Sequence, residues 1–82
     1  MPLIHILSDC SIYVNGKDHL PPHFHVRMKD KREVLVNTTT LELLTHTVHK
    51  REITEALLWA AANRDLLIAK FHEFNPNMRR AK

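Results

Sequence analysis

Hydrophobic and polar residues alternate with period two from His23 to Met28. Phe24, Val26 and Met28 fall on one side, and His23, His25 and Arg27 on the other. That period predicts a strand with one row of side chains in a core. Val34 and Val36 repeat the pattern within Glu33 to Asn37, and the charged Lys29-Asp30-Lys31-Arg32 between the two runs reads as a hairpin loop. Upstream, residues 2–14 hold two short apolar stretches around Ser8-Asp9-Cys10-Ser11, which predicts a strand pair or one bent strand. In its second part Ile12 and Val14 alternate with Ser11 and Tyr13. Asn15-Gly16 is a turn signal, because both residue types tolerate positive φ. Pro21-Pro22 keeps the next loop extended and removes two backbone donors. Thr38-Thr39-Thr40 leads into Leu41-Glu42-Leu43-Leu44, read as a short further strand.

The period then lengthens. From His49 to Phe74, Ile53, Leu57, Ala60, Leu67, Ile68, Phe71 and Phe74 recur at helical spacing, with Ala56 on the flank of the stripe. Glu52 adds favourable charge to the first turn. Asn75-Pro76 ends the helix, since the residue before proline avoids the α region. The expected fold is therefore α+β: a short antiparallel sheet of three or four strands, covered on one face by one long C-terminal helix. Residues 1–76 form a single domain on this reading, and 77–82 a basic, frayed tail. Two details depart from a plain amphipathic helix. Arg64 projects into the apolar stripe between Ala60 and Leu67. Leu58, Trp59, Ala62 and Leu66 lie off the stripe, so the helix is apolar over most of its circumference near its centre. A partner protein, or a second copy bound through Trp59 and Leu66, is expected to cover that side unless residues 2–8 fold over it.

Composition narrows the function classes. The 82 residues carry a net charge of +3, with 44% hydrophobic and 26% charged residues. That is a globular composition. The mild basicity permits a nucleic-acid partner without requiring one. The single cysteine, Cys10, excludes an internal disulfide and a cysteine-based zinc site, and it suits a reducing compartment. No apolar run approaches the roughly 20 residues of a membrane span. The start of the sequence lacks a basic segment of the secretory type, and the expected location is the cytoplasm.

Histidine changes the picture. There are seven in the chain, and His19, His23 and His25 fall close together. His23 and His25, two apart on one strand, share a face. With His19 they form a candidate nitrogen-ligand set for zinc or nickel. The same pair fits acid–base chemistry, with one imidazole taking a proton, the other giving one, and Arg27 beside them holding a phosphate oxygen. The plain alternative is a solvated polar face opposite the core. Arg64 is a second candidate cation, because a half-buried guanidinium needs an anion or a well-placed acceptor. The basic hairpin loop reads more simply as a solvated turn guarding a sheet edge, and no aromatic interleaves with its charges to stack bases.

These residues resemble a known family. Asp18-His19, Pro21-Pro22-His23-Phe24-His25-Val26, Thr40-Leu41-Glu42, Trp59-Ala60, Asn63-Arg64 and Leu67 are similar to the small bacterial family catalogued as domain of unknown function 4160. The resemblance spans roughly residues 2–70. Asn37 stands where relatives often carry an acidic residue, and Lys50-Arg51 where many have a proline. The resemblance implies a compact α+β domain of a bacterial or phage cytoplasm, encoded beside a second small protein in an arrangement similar to toxin–antitoxin pairs. It implies no settled activity.

The reading that joins residues and resemblance is the toxin-like component of a two-protein module. It acts as a metal-independent ribonuclease in which His23, His25, Arg27 and Arg64 carry catalysis and the partners are RNA and a small antitoxin-like neighbour. The alternatives are a divalent-metal module built on His19, His23 and His25, and an interaction module without catalysis.

Overall fold

The computed structural model describes residues 3–15 and 21–75. His19, the second residue of the Asn15-Gly16 turn, and the basic tail lie outside the described residues. Four strands, β1 (Leu3–Ile6), β2 (Cys10–Tyr13), β3 (His23–Met28) and β4 (Glu33–Asn37), form an antiparallel meander in the order β1-β2-β3-β4. The N-terminal segment is thus a strand pair. Its register shifts between Leu3 and His5, an irregularity that suits an edge strand.

The alternation in the sequence sets the register. Ile12 lies opposite Val26, Val26 opposite Val34, and Phe24 opposite Val36. All five, with Val14, are fully buried against Ile53, Ala56, Ala60, Leu67 and Phe71. Ala56, placed by its spacing on the flank of the stripe, belongs to the core. A one-residue slip would turn every one of these strand side chains to the opposite face, so the pattern fixes the pairing strongly.

Two expected elements differ. The helix is not one long rod. A 3₁₀ turn (Lys50–Ile53) leads into α1 (Thr54–Ala62), and α2 (Arg64–Phe74) follows after a break at Asn63. The cause is local. The Asn63 side-chain amide donates to the Trp59 carbonyl at 2.9 Å, and the Asn63 backbone N–H reaches Trp59 and Ala60 carbonyls at 3.0 and 3.1 Å. A side chain that takes the i−4 carbonyl competes with the helical ladder and kinks it. Arg64 is therefore the first residue of a second helix, not an intruder in a continuous stripe. The second difference is at Leu41–Leu44. Only Leu43 bridges, to Val36. The Leu35 N–H goes instead to the Thr45 hydroxyl at 3.1 Å. Backbone bonds from the Asn37 N–H to the Glu42 carbonyl and from the Leu44 N–H to the Leu35 carbonyl flank that bridge, the pairing stops there, and no fifth strand forms among the described residues.

Asn37 shapes the turn before that segment. Its side-chain oxygen accepts from the Thr39 and Thr40 N–H groups at 2.8 and 3.1 Å, and its carbonyl accepts from Leu41 N–H at 2.7 Å. The result holds Leu41 at φ 63°, a left-handed conformation that is unfavourable for a γ-branched side chain.

Trp59 is half-buried by the chain's own N-terminal strand, whose His5 ring stacks on the indole at 4.5 Å and 9°. Leu58 and Leu66 stay exposed, at 69% and 41%.

Glu52 ties the hairpin to the start of the helical segment. It accepts from the His49 N–H at 2.9 Å and pairs with Arg32 at 2.8 Å. The Arg32 guanidinium first, and the His49 N–H second, pull its carboxyl from 4.5 to about 2. A carboxyl depressed on folding stabilises the fold above its unfolded value, and that contribution is lost as pH falls through the folded one. In acid titrations followed by urea unfolding, Glu52→Gln should lose less stability than the wild type between pH 4.5 and about 2. Phe71→Ala should cost about 3–5 kcal/mol, because the ring is fully buried. Leu58→Ala should stay within about 0.5 kcal/mol on the same measurement.

Candidate active site

Strand β3 has little solvent-facing surface at its start. Phe24 and Val26 fill the core on one side, and His23 and His25, on the other, are only 6% and 7% exposed. The plain alternative, a solvated polar row, does not describe these two residues. Buried imidazoles must be hydrogen-bonded, because an unmet polar group costs about 1–3 kcal/mol. Both are.

His25 Nδ1 lies 2.6 Å from Glu33 Oε2. The ladder explains the contact. His25 is opposite Leu35 and Arg27 opposite Glu33, so Glu33 lies two residues along β4 from Leu35, on the face that His25 occupies. A carboxylate accepts, so Nδ1 carries the proton. The other nitrogen, Nε2, is 3.2 Å from Asn15 Nδ2; an amide N–H donates to it, which is consistent with that tautomer. Asn15 is held in turn, since its carbonyl accepts from the Asn75 amide at 3.0 Å, and the same amide nitrogen also reaches the Phe71 carbonyl at 2.9 Å. The end of α2 is thereby locked to the end of β2, beside His25.

His23 follows the same logic. Its Nδ1 is 2.9 Å from the Pro21 carbonyl, which can only accept. The extended Pro21-Pro22 segment presents that carbonyl. The two imidazole rings stand 5.4 Å apart at 53°, and the His23 ring lies 5.6 Å from Phe71. Each imidazole is thus pinned through Nδ1, which fixes the orientation of its ring.

Arg27 completes one side of the group. Its guanidinium lies 3.9 Å from Glu33 Oε1 and 5.5 Å from the Tyr13 ring centre. Its side chain is 43% exposed. It is the cation placed where solvent and site meet.

Arg64 is placed differently. Its Nε donates to the Thr38 carbonyl at 3.2 Å, and among the described residues it has no carboxylate partner. Thr38 follows the Asn37 that pairs with His23, so Arg64 anchors to that end of the sheet, away from the Arg27 side. The half-buried guanidinium has found a carbonyl instead of an anion. Cys10 is buried, and burial pushes its thiol up, with Glu55 and Asp9 adding to the effect. That favours the unreactive protonated form. Among the described residues no group of three or more His, Cys, Asp and Glu is gathered for a metal, and His19 lies outside them.

Glu33, Asn15 and Asn75 were not singled out by sequence reasoning. Glu33 was legible in principle. Once Phe24 is opposite Val36, residues of odd number on both strands share a face, and Glu33 then neighbours His25. Asn15 and Asn75 carried no such signal, because their roles depend on where α2 ends.

The architecture defines a small α+β domain whose central strand holds two hydrogen-bonded histidines beside a carboxylate and an arginine. The chain belongs to the DUF4160 family, described as a domain of unknown function, whose model matches residues 10–72. No curated protein and no solved structure matches. The matched span includes His23, His25, Arg27, Glu33 and Arg64.

The tautomer is directly measurable. Long-range ¹H–¹⁵N spectra at neutral pH should show His25 protonated at Nδ1 and bare at Nε2. The opposite tautomer would contradict the Glu33 contact.

Proposed function

We propose that this domain is the toxin-like component of a two-protein module and cleaves RNA by general acid–base catalysis, with His25 as base, His23 as acid and Arg27 as the phosphate clamp. The observation that carries the reading is the contact between His25 Nδ1 and Glu33 Oε2 at 2.6 Å. A carboxylate behind an imidazole fixes its orientation and stabilises the imidazolium that forms when Nε2 takes a proton.

Each step has a residue. His25 Nε2 removes the proton of a ribose 2′-OH. The resulting oxygen attacks the adjacent phosphorus and the P–O5′ bond breaks. The imidazolium of His23 gives its Nε2 proton to the departing O5′, leaving a 2′,3′-cyclic phosphate. Arg27 binds the non-bridging oxygens, for which its planar fork is suited. For RNA to reach Nε2, the Asn15 amide must leave it, a neutral hydrogen bond worth about 1 kcal/mol. Asn15 Oδ1 is buried without a partner among the described residues. A rotated Asn15 amide would offer that oxygen to the Nε2–H of protonated His25, so one side chain serves both states. Arg64, held by the Thr38 carbonyl, has a supporting place in this scheme and not a catalytic one.

The purified chain should cleave single-stranded RNA to products ending in 2′,3′-cyclic phosphate. His25→Ala should lower the rate about 10²–10⁴-fold, and Glu33→Gln by about 10². Circular dichroism would establish that both variants fold. A folded wild type without activity, or a folded His25→Ala variant with undiminished activity, would sink the proposal. Chelators decide between this reading and zinc or nickel held by His19, His23 and His25: the rate should be unchanged in excess EDTA. Loss in EDTA with recovery on adding Zn²⁺ or Ni²⁺ would replace the metal-free mechanism.

A further inference from the structure

An apolar groove of about 540 Å³ lies along α1, away from the histidines. Leu41, Leu57, Leu58 and Ala61 form its apolar surface, and Lys50 and Arg51 stand on it as well. We infer that this groove docks an acidic amphipathic helix of a partner protein.

Three observations point the same way. The first is strain. Leu41 contributes to the groove from a left-handed backbone, φ 63°, held there by the Asn37 turn. A leucine in that region is an outlier whose conformation the surroundings impose. The second is exposure. Among the described residues, Leu58 is the most exposed of the large hydrophobic side chains, at 69%. The third is charge. Lys50 and Arg51 have no carboxylate within ion-pair distance among the described residues; Glu52, the acid next in the chain, is taken by Arg32. The groove thus combines apolar contact with two cations that hold no ion pair among the described residues.

That chemistry selects the occupant. A second copy meeting through the same surface would bring Lys50 and Arg51 against their own images, which like-charge repulsion opposes. A small ligand finds no converging polar groups, since the Thr54 hydroxyl is directed to the Arg51 carbonyl at 3.1 Å. A helix with leucines at i, i+3, i+4 and i+7 and glutamates on its flanks satisfies both features. The surface differs from the Trp59–Leu66 ridge expected from the sequence. Trp59 is occupied by His5, and neither residue borders this groove.

The test uses ¹⁵N-labelled chain and two synthetic amphipathic peptides with the same leucine spacing, one with glutamates on the polar face and one with lysines. The glutamate peptide should shift the amides of Leu57, Leu58 and Ala61 and bind at least about tenfold more tightly than the lysine peptide. The double variant Lys50→Glu, Arg51→Glu should reverse that preference. Leu58→Glu should abolish binding while leaving the rest of the spectrum in place, since the side chain is exposed. Failure of the glutamate peptide to bind at millimolar concentration, equal binding of both peptides, or shifts centred on Trp59 and Leu66 would overturn the inference. So would association with phosphatidylserine vesicles in place of the peptide. RNA cleavage is not a readout here, so the outcome is independent of the catalytic proposal.

Discussion

Burial of β3 on both of its faces is the constraint on which the rest of the structure depends. On one side Phe24 and Val26 join Ile12, Val34 and Val36 in the apolar core. On the other side the chain buries two imidazoles with almost no solvent contact. Apolar packing on the first face is tolerant in detail, since any close-packed set of similar volume will fill it. The second face is not tolerant. Each imidazole nitrogen it encloses must meet a partner of the right polarity. The Pro21 carbonyl meets that need at His23 Nδ1, and the Glu33 carboxylate and the Asn15 amide meet it at the two nitrogens of His25. A buried polar network of this kind fixes which atom holds which proton, and that is also what an acid–base site requires.

The network reaches beyond the sheet. Asn75, just past the end of α2, bonds back to Phe71 and across to Asn15. The residue that orients His25 is therefore itself held by the final helix, whose Phe71 also lies against His23. Placement of α2 and alignment of the histidines are one problem with one solution. The break at Asn63 bears on it. A straight helix would tie the direction of α2 to that of α1. An interrupted one lets α1 lie toward β2 while α2 lies on β3, and it brings Arg64 onto the Thr38 carbonyl.

Much of this was legible in the sequence because it rests on periodicity. The 23–28 and 33–37 hairpin and the apolar stripe from Ile53 to Phe71 follow from spacing alone, whereas spacing left the segment before Asn15 open between a strand pair and one bent strand. The helix break was not legible, since asparagine is only a mild helix opponent and its effect here comes from one side-chain bond to Trp59. The shortness of the pairing at Leu43 was not legible either: it stops after one bridge, where the Leu35 N–H meets a threonine hydroxyl. The pairing of His23 and His25 on one face was readable from their spacing, whereas their burial was not. Alternation tells which residues share a face but not what lies over it, and a polar row reads as solvated until its partners are known.

Arg32 and Arg27 show how two similar charges on one hairpin come to differ. Arg32 is fully committed, pairing with Asp30 in its own turn and with Glu52 at the start of the helical segment. It fixes the hairpin against the helix and holds no charge in reserve. Arg27 sits two residues beyond His25 on the same face, over Tyr13, and only at the edge of contact with Glu33 at 3.9 Å. The closer oxygen of that carboxylate pair belongs to His25. Glu33 thus divides its two oxygens, Oε2 going to the imidazole and Oε1 facing the guanidinium. The Arg27 guanidinium is half-exposed, and the carboxylate beside it keeps it on the side of the sheet where His25 lies. Two arginines of one hairpin thus serve different ends of it: Arg32 ties the turn to the start of the helical segment, and Arg27 stands beside Glu33 on the face that His25 occupies.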